Sequence, residues 1–222
     1  MTLLSSHLTS VEGFHTTFSS NITIHNPADI EGCSLHFLYR LPPRIFADPY
    51  ELANYAAFYS FKSSGTTNLE LPVTAVSAEG SAILLQVNLP DISTSGKASV
   101  MVDLPLHARY GALDQPAAIE VADPTCFWVC PRLYYHPMQS MPEMPLEFAA
   151  SFNTSSSVFI MAGKDPSTSV AVMHVPVGHA ADSPQVEAIT SAVVVLGFLY
   201  LLYIAVQTAA NISKRHQHVK VK

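Results

Sequence analysis

Charge is what this chain has least of: Asp, Glu, Lys and Arg together make up 13% of its 222 residues. Helix-rich soluble architectures draw more heavily on Glu and Lys, so the scarcity argues against them. Glycine is thin as well. The nine glycines lie scattered along the chain, and no Gly-rich phosphate cradle or dinucleotide fingerprint can be built from them. No G-x-S-x-G elbow, H-E-x-x-H pair or C-x-x-C occurs, which removes the signatures of α/β-hydrolases, zincins and thioredoxin-like oxidoreductases. Cysteine is limited to three residues, with no histidines clustered near them at finger spacing. A cysteine-held zinc is therefore not expected, and no cofactor is implied. A conventional leader is missing from the first ten residues too. Met1 to Ser10 has no basic start, and its apolar run is only Leu3-Leu4, far short of a signal-peptide core. Either the chain lacks its true N-terminus or its targeting is unusual.

Hydrophobic residues, by contrast, supply 49% of the chain, and one run of them is long. From Ala188 to Ser213 no side chain is charged, and the middle reads Ala192-Val-Val-Val-Leu-Gly-Phe-Leu-Tyr-Leu-Leu-Tyr-Ile-Ala-Val206. A helix rises ~1.5 Å per residue and a bilayer core is ~30 Å thick, so about 20 such residues span it. A buried helix of a soluble core rarely runs so far without a charge. Behind the run come Lys214, Arg215, Lys220 and Lys222. Basic residues beside a span hold that end in the cytosol, which places everything in front of it across the membrane. Tail-anchoring with the bulk in the cytosol would require those four charges to cross. None of the seventeen acidic residues lies beyond Glu187, so the ectodomain is acidic and nucleic acid is not an expected partner.

The organisation that follows is a β-rich lumenal domain over residues 1–178, a linker over 179–187, a transmembrane helix over 188–210 and a basic cytosolic tail over 211–222. The fold class is mainly β, sandwich-like, with one C-terminal transmembrane helix. Phe18, Ile22 and Ile24 alternate with Asn21 and Thr23, as in an amphipathic strand. Cys33 to Leu41 alternates Leu35, Phe37 and Tyr39 against His36, Leu38 and Arg40, and Pro42-Pro43 ends it. Asp48-Pro49 marks a turn, with a helical turn from Tyr50 towards Tyr59 and a loop from Ser63 to Thr67. Asp48 and Glu51 as a catalytic acid and base is the weaker reading, since Asp before Pro is a common cap. Asn68 to Ala75, Ala82 to Leu89, Ala98 to Tyr110, Ser157 to Met161 and Thr168 to Gly178 read as further strands. On the third of these, His107 and Arg109 share one face, which is either solvated or a polar contact for a partner. Pro131 to Pro145 reads as an irregular loop. Asn21-Ile-Thr23 and Asn153-Thr-Ser155 are glycosylation sequons on the lumenal side, and Asn211-Ile-Ser213 falls at the cytosolic end.

Four short segments carry a family resemblance. Glu12-Gly-Phe-His15, with Gly13, Phe14 and His15, is similar to a motif ahead of the first strand in the PIG-X family. Leu41-Pro-Pro-Arg-Ile-Phe-Ala-Asp-Pro-Tyr-Glu-Leu-Ala53 resembles that family's signature through Asp48, Pro49, Tyr50, Glu51 and Leu52. Leu104-Pro-Leu-His-Ala-Arg-Tyr110 is similar through Pro105, His107, Arg109 and Tyr110. Val175-Pro-Val-Gly178 resembles, through Pro176 and Gly178, the close of the family's lumenal domain. The family also has a cysteine six residues after an Asn-Pro proline, and Cys130 stands at that offset from Pro124. Cys33 with Cys130 is the preferred pairing; Cys126 with Cys130, or three free thiols, are the alternatives.

The resemblance implies a non-catalytic accessory subunit in the endoplasmic reticulum membrane. Its implied partner is the catalytic subunit of GPI mannosyltransferase I, of PIG-M type, which adds the first mannose to the GPI-anchor precursor. A p24-type cargo receptor would also be a β-sandwich with one span. That family carries a heptad region and a dilysine at the third and fourth positions from the end, whereas this chain is proline-broken there and ends Lys220-Val-Lys222. A GPI-anchored product would end in apolar residues. Within the span, Gly197, Tyr200, Tyr203 and Gln207 fall on one helical face, the expected contact for a partner helix. Tyrosines gathering at a membrane interface is the plainer explanation.

Overall fold

The computed structural model describes residues 2–66, 68, 71–89, 97–115, 117–131, 140–152, 157–164 and 171–219. The chain divides into two compact units, Met1–Val177 and Gly178–Lys222. The first unit opens with strands β1 (Thr2–Leu8), β2 (His15–Ile24), β3 (Ser34–Leu41) and β4 (Ile45–Phe46), then the short helix α1 (Pro49–Ala53). Strands β5 (Tyr59–Gly65), β6 (Ser81–Val87), β7 (Ala98–Ala108), β8 (Ala117–Val121) and β9 (Thr125–Pro131) follow, then helix α2 (Leu146–Ala149). Strands β10 (Ser157–Met161), β11 (Gly163–Lys164) and β12 (Ala171–Val175) complete it.

These strands form one sheet in the order β11-β1-β2-β7-β4, a second in the order β10-β9-β3-β6-β5, and a two-stranded sheet β12-β8. Successive side chains of a strand point to opposite faces, so alternation decides what enters the core. Phe18, Ile22 and Ile24 of β2 and Leu104 and Leu106 of β7 share that core with Leu35, Phe37 and Tyr39 of β3, Leu85 of β6 and Trp128 of β9. One polar chain crosses it. Ser6 Oγ donates to Ser20 Oγ at 3.2 Å, and Ser20 Oγ lies 3.1 Å from the Tyr39 hydroxyl. All three side chains are buried, so the chain links the two sheets through groups that would be costly left unpaired. Cys33 and Cys130 are joined by a disulfide that ties the approach to β3 to β9 across 97 positions, while Cys126 is buried and free. A loop of that length corresponds to about 4–5 kcal/mol in the chain-entropy model. Burial also pushes the Cys126 thiol well above its usual range, which makes it a packing residue rather than a nucleophile.

Several segments depart from the sequence reading. Thr2–Leu8, considered above only for targeting, is a strand paired along its length with β2. The helical turn expected from Tyr50 is α1, which ends at Ala53, whereas Ser63 to Gly65, expected as loop, belongs to the edge strand β5. An edge strand packs fewer side chains than a central one, so polar residues are tolerated there. Of the strand expected over Asn68 to Ala75, the described residues 68 and 71–75 are not in a strand, and Pro72 leads into a 3-10 turn at Val73–Ala75. Gly80, at φ +72°, could not carry a side chain, since a Cβ would lie 2.1 Å from the Leu41 carbonyl oxygen. The second face of β3 is also buried, at His36 and Leu38. Phe148 of α2, with Leu84, Phe127 and Phe159, builds a second apolar cluster there.

The second unit is a 3-10 turn at Ala180–Asp182 followed by helix α3 (Ser183–Val219). The expected linker over 179–187 is therefore helical from Ser183 onward. Pro184 stands in the first turn, where its missing N–H has no intrahelical partner to lose. Ser183 Oγ donates to Glu187 Oε1 one turn along. The segment from Ala180 to Ile212 is long and apolar enough to cross a membrane. Tyr203 accepts from Gln207 Nε2 on the same helix, so that pair is satisfied internally, and no atom lies within 4 Å of a Cβ built at Gly197.

His36 gives the domain a defined acid response. Its ring stacks on Phe127 and shares a hydrogen bond with Ser34 Oγ at 2.9 Å. Burial lowers its pKa from 6.5 to about 4. The unfolded chain takes up a proton near pH 6.5 that the folded chain refuses until about 4, so stability is full above 6.5 and falls as pH drops through that window. The loss amounts to about 3 kcal/mol at the acid end. Thermal unfolding of the full chain between pH 7.5 and 4 is expected to show this slope, and His36→Phe to flatten it.

Candidate functional site

The pairing of β2 with β7 sets His15 directly opposite His107, and the pairing of β4 with β7 sets Phe46 on the other side of the same residue. His15, His107 and Phe46 thus form a cross-strand row on the sheet face that points away from the core. Helix α1 brings a carboxylate to this row. Asp48 caps the helix by accepting from the Tyr50 backbone N–H at 2.8 Å, and Pro49 holds the first helical position. Leu52 is fully buried in the core, which fixes the helix in place. One residue earlier, Glu51 Oε2 lies 2.6 Å from His107 Nε2 and 3.7 Å from His15 Nε2.

The surroundings hold these groups in position. The His15 and His107 rings approach to 3.8 Å between centroids, and Phe46 stacks on His107 at 5.1 Å. The Arg109 guanidinium lies 4.6 Å over the Phe46 ring and donates from Nη1 to the Leu71 carbonyl at 2.8 Å. Its backbone N–H bonds to the Arg44 carbonyl, tying β7 to the segment that leads into α1. Phe14 and Tyr110 stack with centroids 5.7 Å apart at the exposed margin. Gly13, at φ +109°, turns the chain into β2 and donates to the His174 carbonyl, while His174 donates back to Val11. That clasp comes from the last residues of β12, immediately before Val175-Pro-Val-Gly178.

Three of the four motif segments therefore meet at one place, and the fourth abuts it through β12. Pro176 and Gly178 themselves stay exposed after the strand, Gly178 opening the second unit. Pro105 is tolerated in β7 because β4 pairs with that strand only at His107 and Ala108, leaving its neighbour side open further along. Arg109 corrects the sequence reading. It was expected on a solvated face or against a partner, yet it is 5% exposed and packed within the domain. Burial lowers its pKa from the ordinary guanidinium value, while the ring beneath it and the carbonyl beside it offset the lost water. His107 is likewise held from within, by Glu51. Phe46, two residues before Asp48, has no polar signature that would single it out in the sequence. Asp48 serves as a cap, so the Asp48–Glu51 acid and base reading fails on geometry.

Of the remaining candidates, Asn21 lies half-buried on the outer face of β2, its Oδ1 accepting from Ser99 Oγ. Asn153 falls outside the described residues. Gly197, Tyr200, Tyr203 and Gln207 belong to α3 and are not part of this cluster; Tyr200 and Tyr203 are exposed.

Comparisons with known proteins give a consistent family. The chain is similar to Protein PBN1 of Debaryomyces hansenii, at 29% identity over 135 residues, covering 59% of this chain and 28% of that protein. It is similar to Protein pbn1 of Schizosaccharomyces pombe, at 26% identity over 188 residues, covering 81% of this chain and 52% of that protein. Protein PBN1 of Gibberella zeae matches at 33% identity over 128 residues, covering 53% of this chain and 25% of that protein. The chain thus spans between a quarter and about half of these relatives' lengths. The PIG-X / PBN1 family model matches residues 11–206, which takes in the converging segments, the Val175-Pro-Val-Gly178 turn and most of the apolar run. On that match the chain belongs to the PIG-X / PBN1 family.

Proposed function

We propose that this chain is a non-catalytic accessory subunit of GPI-anchor biosynthesis in the endoplasmic reticulum membrane. It would stabilise the PIG-M-type mannosyltransferase that adds the first mannose to the GPI-anchor precursor. The observation that carries the reading is the family match across residues 11–206, which spans both the β-rich unit and the apolar helix. The converging motif cluster is compatible with an accessory role. It joins two imidazoles and a carboxylate to aromatic packing, while Asp48 is engaged as a helix cap. Beside it Tyr50 is 83% exposed, and Phe14 and Tyr110 present a stacked aromatic pair to solvent. Aromatic residues at an exposed margin are suited to a protein contact.

The β-rich unit faces the lumen in this proposal, since the basic residues Lys214, Arg215, Lys220 and Lys222 follow the span. Within α3, Tyr203 and Gln207 satisfy each other, so Gly197 and Tyr200 are the positions where a neighbouring helix would approach most closely.

Three outcomes test these points. Cells deprived of this chain should lose most of their PIG-M-type subunit and display fewer GPI-linked proteins; normal levels of both would overturn the role. Replacing Gly197 and Tyr200 together by Leu should cut co-purification of the catalytic subunit several-fold, and unchanged recovery would remove that face from the contact. A glycosidase-sensitive gel shift that disappears in the doubly substituted Asn21→Gln, Asn153→Gln chain is expected for a lumenal unit; its absence speaks for the opposite orientation.

A further inference from the structure

We infer that His15, Glu51 and His107 form a zinc-binding site, with the two imidazole Nε2 atoms and Glu51 Oε2 as ligands. The three ligand atoms lie within 4.8 Å of one another. A tetrahedral zinc with nitrogen and oxygen ligands at about 2.0–2.2 Å sets its ligand atoms roughly 3.3 Å apart. The separations here, 2.6 Å for His107 to Glu51 and 3.7 Å for His15 to Glu51, fall on either side of that edge. The two imidazole nitrogens lie within 4.8 Å of each other, so side-chain adjustments on the order of an ångström bring the three ligands to it.

The backbone supplies the arrangement. His15 and His107 are direct cross-strand partners, so both side chains leave the same sheet face, and α1 carries Glu51 across their tips. Both rings present Nε2, rather than one nitrogen of each kind, to a single carboxylate oxygen. An ordinary hydrogen-bonded pair needs only one imidazole. The second here also brings its Nε2 to 3.7 Å from the same carboxylate oxygen, with its ring 3.8 Å from the first, closer than one hydrogen bond requires. A divalent cation between them turns that crowding into coordination. It would take the place of the proton shared by His107 Nε2 and Glu51 Oε2. Phe46 stacked on His107 provides the apolar backing that holds a ligand ring in orientation.

Access and donor chemistry narrow the identity of the ion. His15 is 62% exposed on its side chain, Glu51 29% and His107 22%, so the site opens to solvent on the His15 side. A fourth position is left for water. Two imidazoles and one carboxylate suit zinc, whereas calcium and magnesium take oxygen ligands throughout. The same donor set also serves ferrous iron, which the experiment distinguishes. The inference stands apart from the accessory role proposed above, because it needs no partner and concerns only this chain's own residues. A bound zinc would staple the start of β2, the end of β7 and α1.

The test uses the full chain purified in detergent, with His216→Ala and His218→Ala throughout to remove the tail imidazoles. After chelator treatment, zinc is titrated against a chromophoric competitor, ferrous iron is titrated separately under anaerobic conditions, and thermal unfolding is followed. One zinc per chain is expected, bound more tightly than iron. At a zinc concentration about 100 times Kd, the unfolding midpoint should rise by roughly 5–10 °C. His15→Ala, at the most exposed of the three positions, should fold normally, bind zinc at least tenfold more weakly and lose the thermal shift. Glu51→Gln should do the same. If the parent chain and His15→Ala bind zinc with equal affinity, or if neither shows a thermal shift, the three side chains are a hydrogen-bonded cluster and no metal site. Tighter binding of iron than zinc overturns the assignment of the ion.

Discussion

The antiparallel ladder between β2 and β7 is the constraint on which the rest of the structure depends. It runs from His15 opposite His107 to Ile24 opposite Ala98 without a break. Because side chains alternate along a strand, a slip of one residue would turn Phe18, Ile22 and Ile24 out of the core and bring polar neighbours in. The same slip would separate His15 from His107. Packing of the interior and assembly of the surface cluster are therefore decided by one register, and the hydrophobic face makes that register strong.

Around this ladder each neighbour adds a restraint of a different kind. β1 covers one side of β2, and β4 covers only the last two positions of β7. The restricted cover is what leaves room for α1 to turn in beside His107, with Asp48 capping it and Leu52 anchoring it. Across the core, the Ser6–Ser20–Tyr39 chain adds a directional link to an otherwise apolar contact, and within the second sheet the disulfide ties the start of β3 to its neighbour β9. Apolar packing is tolerant of small shifts, whereas hydrogen bonds and covalent links are not, so such links help to specify one arrangement of the sheets.

Much of the β architecture was legible because its signal is local. Alternation in Phe18–Ile24 and the apolar run from Ala192 to Val206 can be read within a few residues, and a strand or a span follows from each. The candidate site was only partly legible. Its residues stood out in the motif segments, but nothing along the chain said that Glu51 would reach His107 from 56 positions away. The burial of His36 and Leu38 on the second face of β3 was not legible, because α2, more than a hundred residues later, covers it. Arg109 was misplaced for a similar reason: a charged residue reads as exposed unless the ring and carbonyl that receive it are known. The strand β1 escaped notice because its short apolar content resembles neither a leader nor a long strand, and only pairing with β2 reveals it.

What the sequence determined by itself was a mainly β domain joined to one apolar helix of spanning length, because strand alternation and helix length are properties of neighbouring residues. What only the tertiary structure decided was which distant groups meet. His15, Glu51 and His107 become one cluster and Arg109 becomes interior only after the strands have paired, and the pairing of β3 with β9 selects Cys33–Cys130, the preferred pairing, from the alternatives the sequence left open. Those contacts depend on register and on layers closing over one another, and neither is written in any single stretch of the chain.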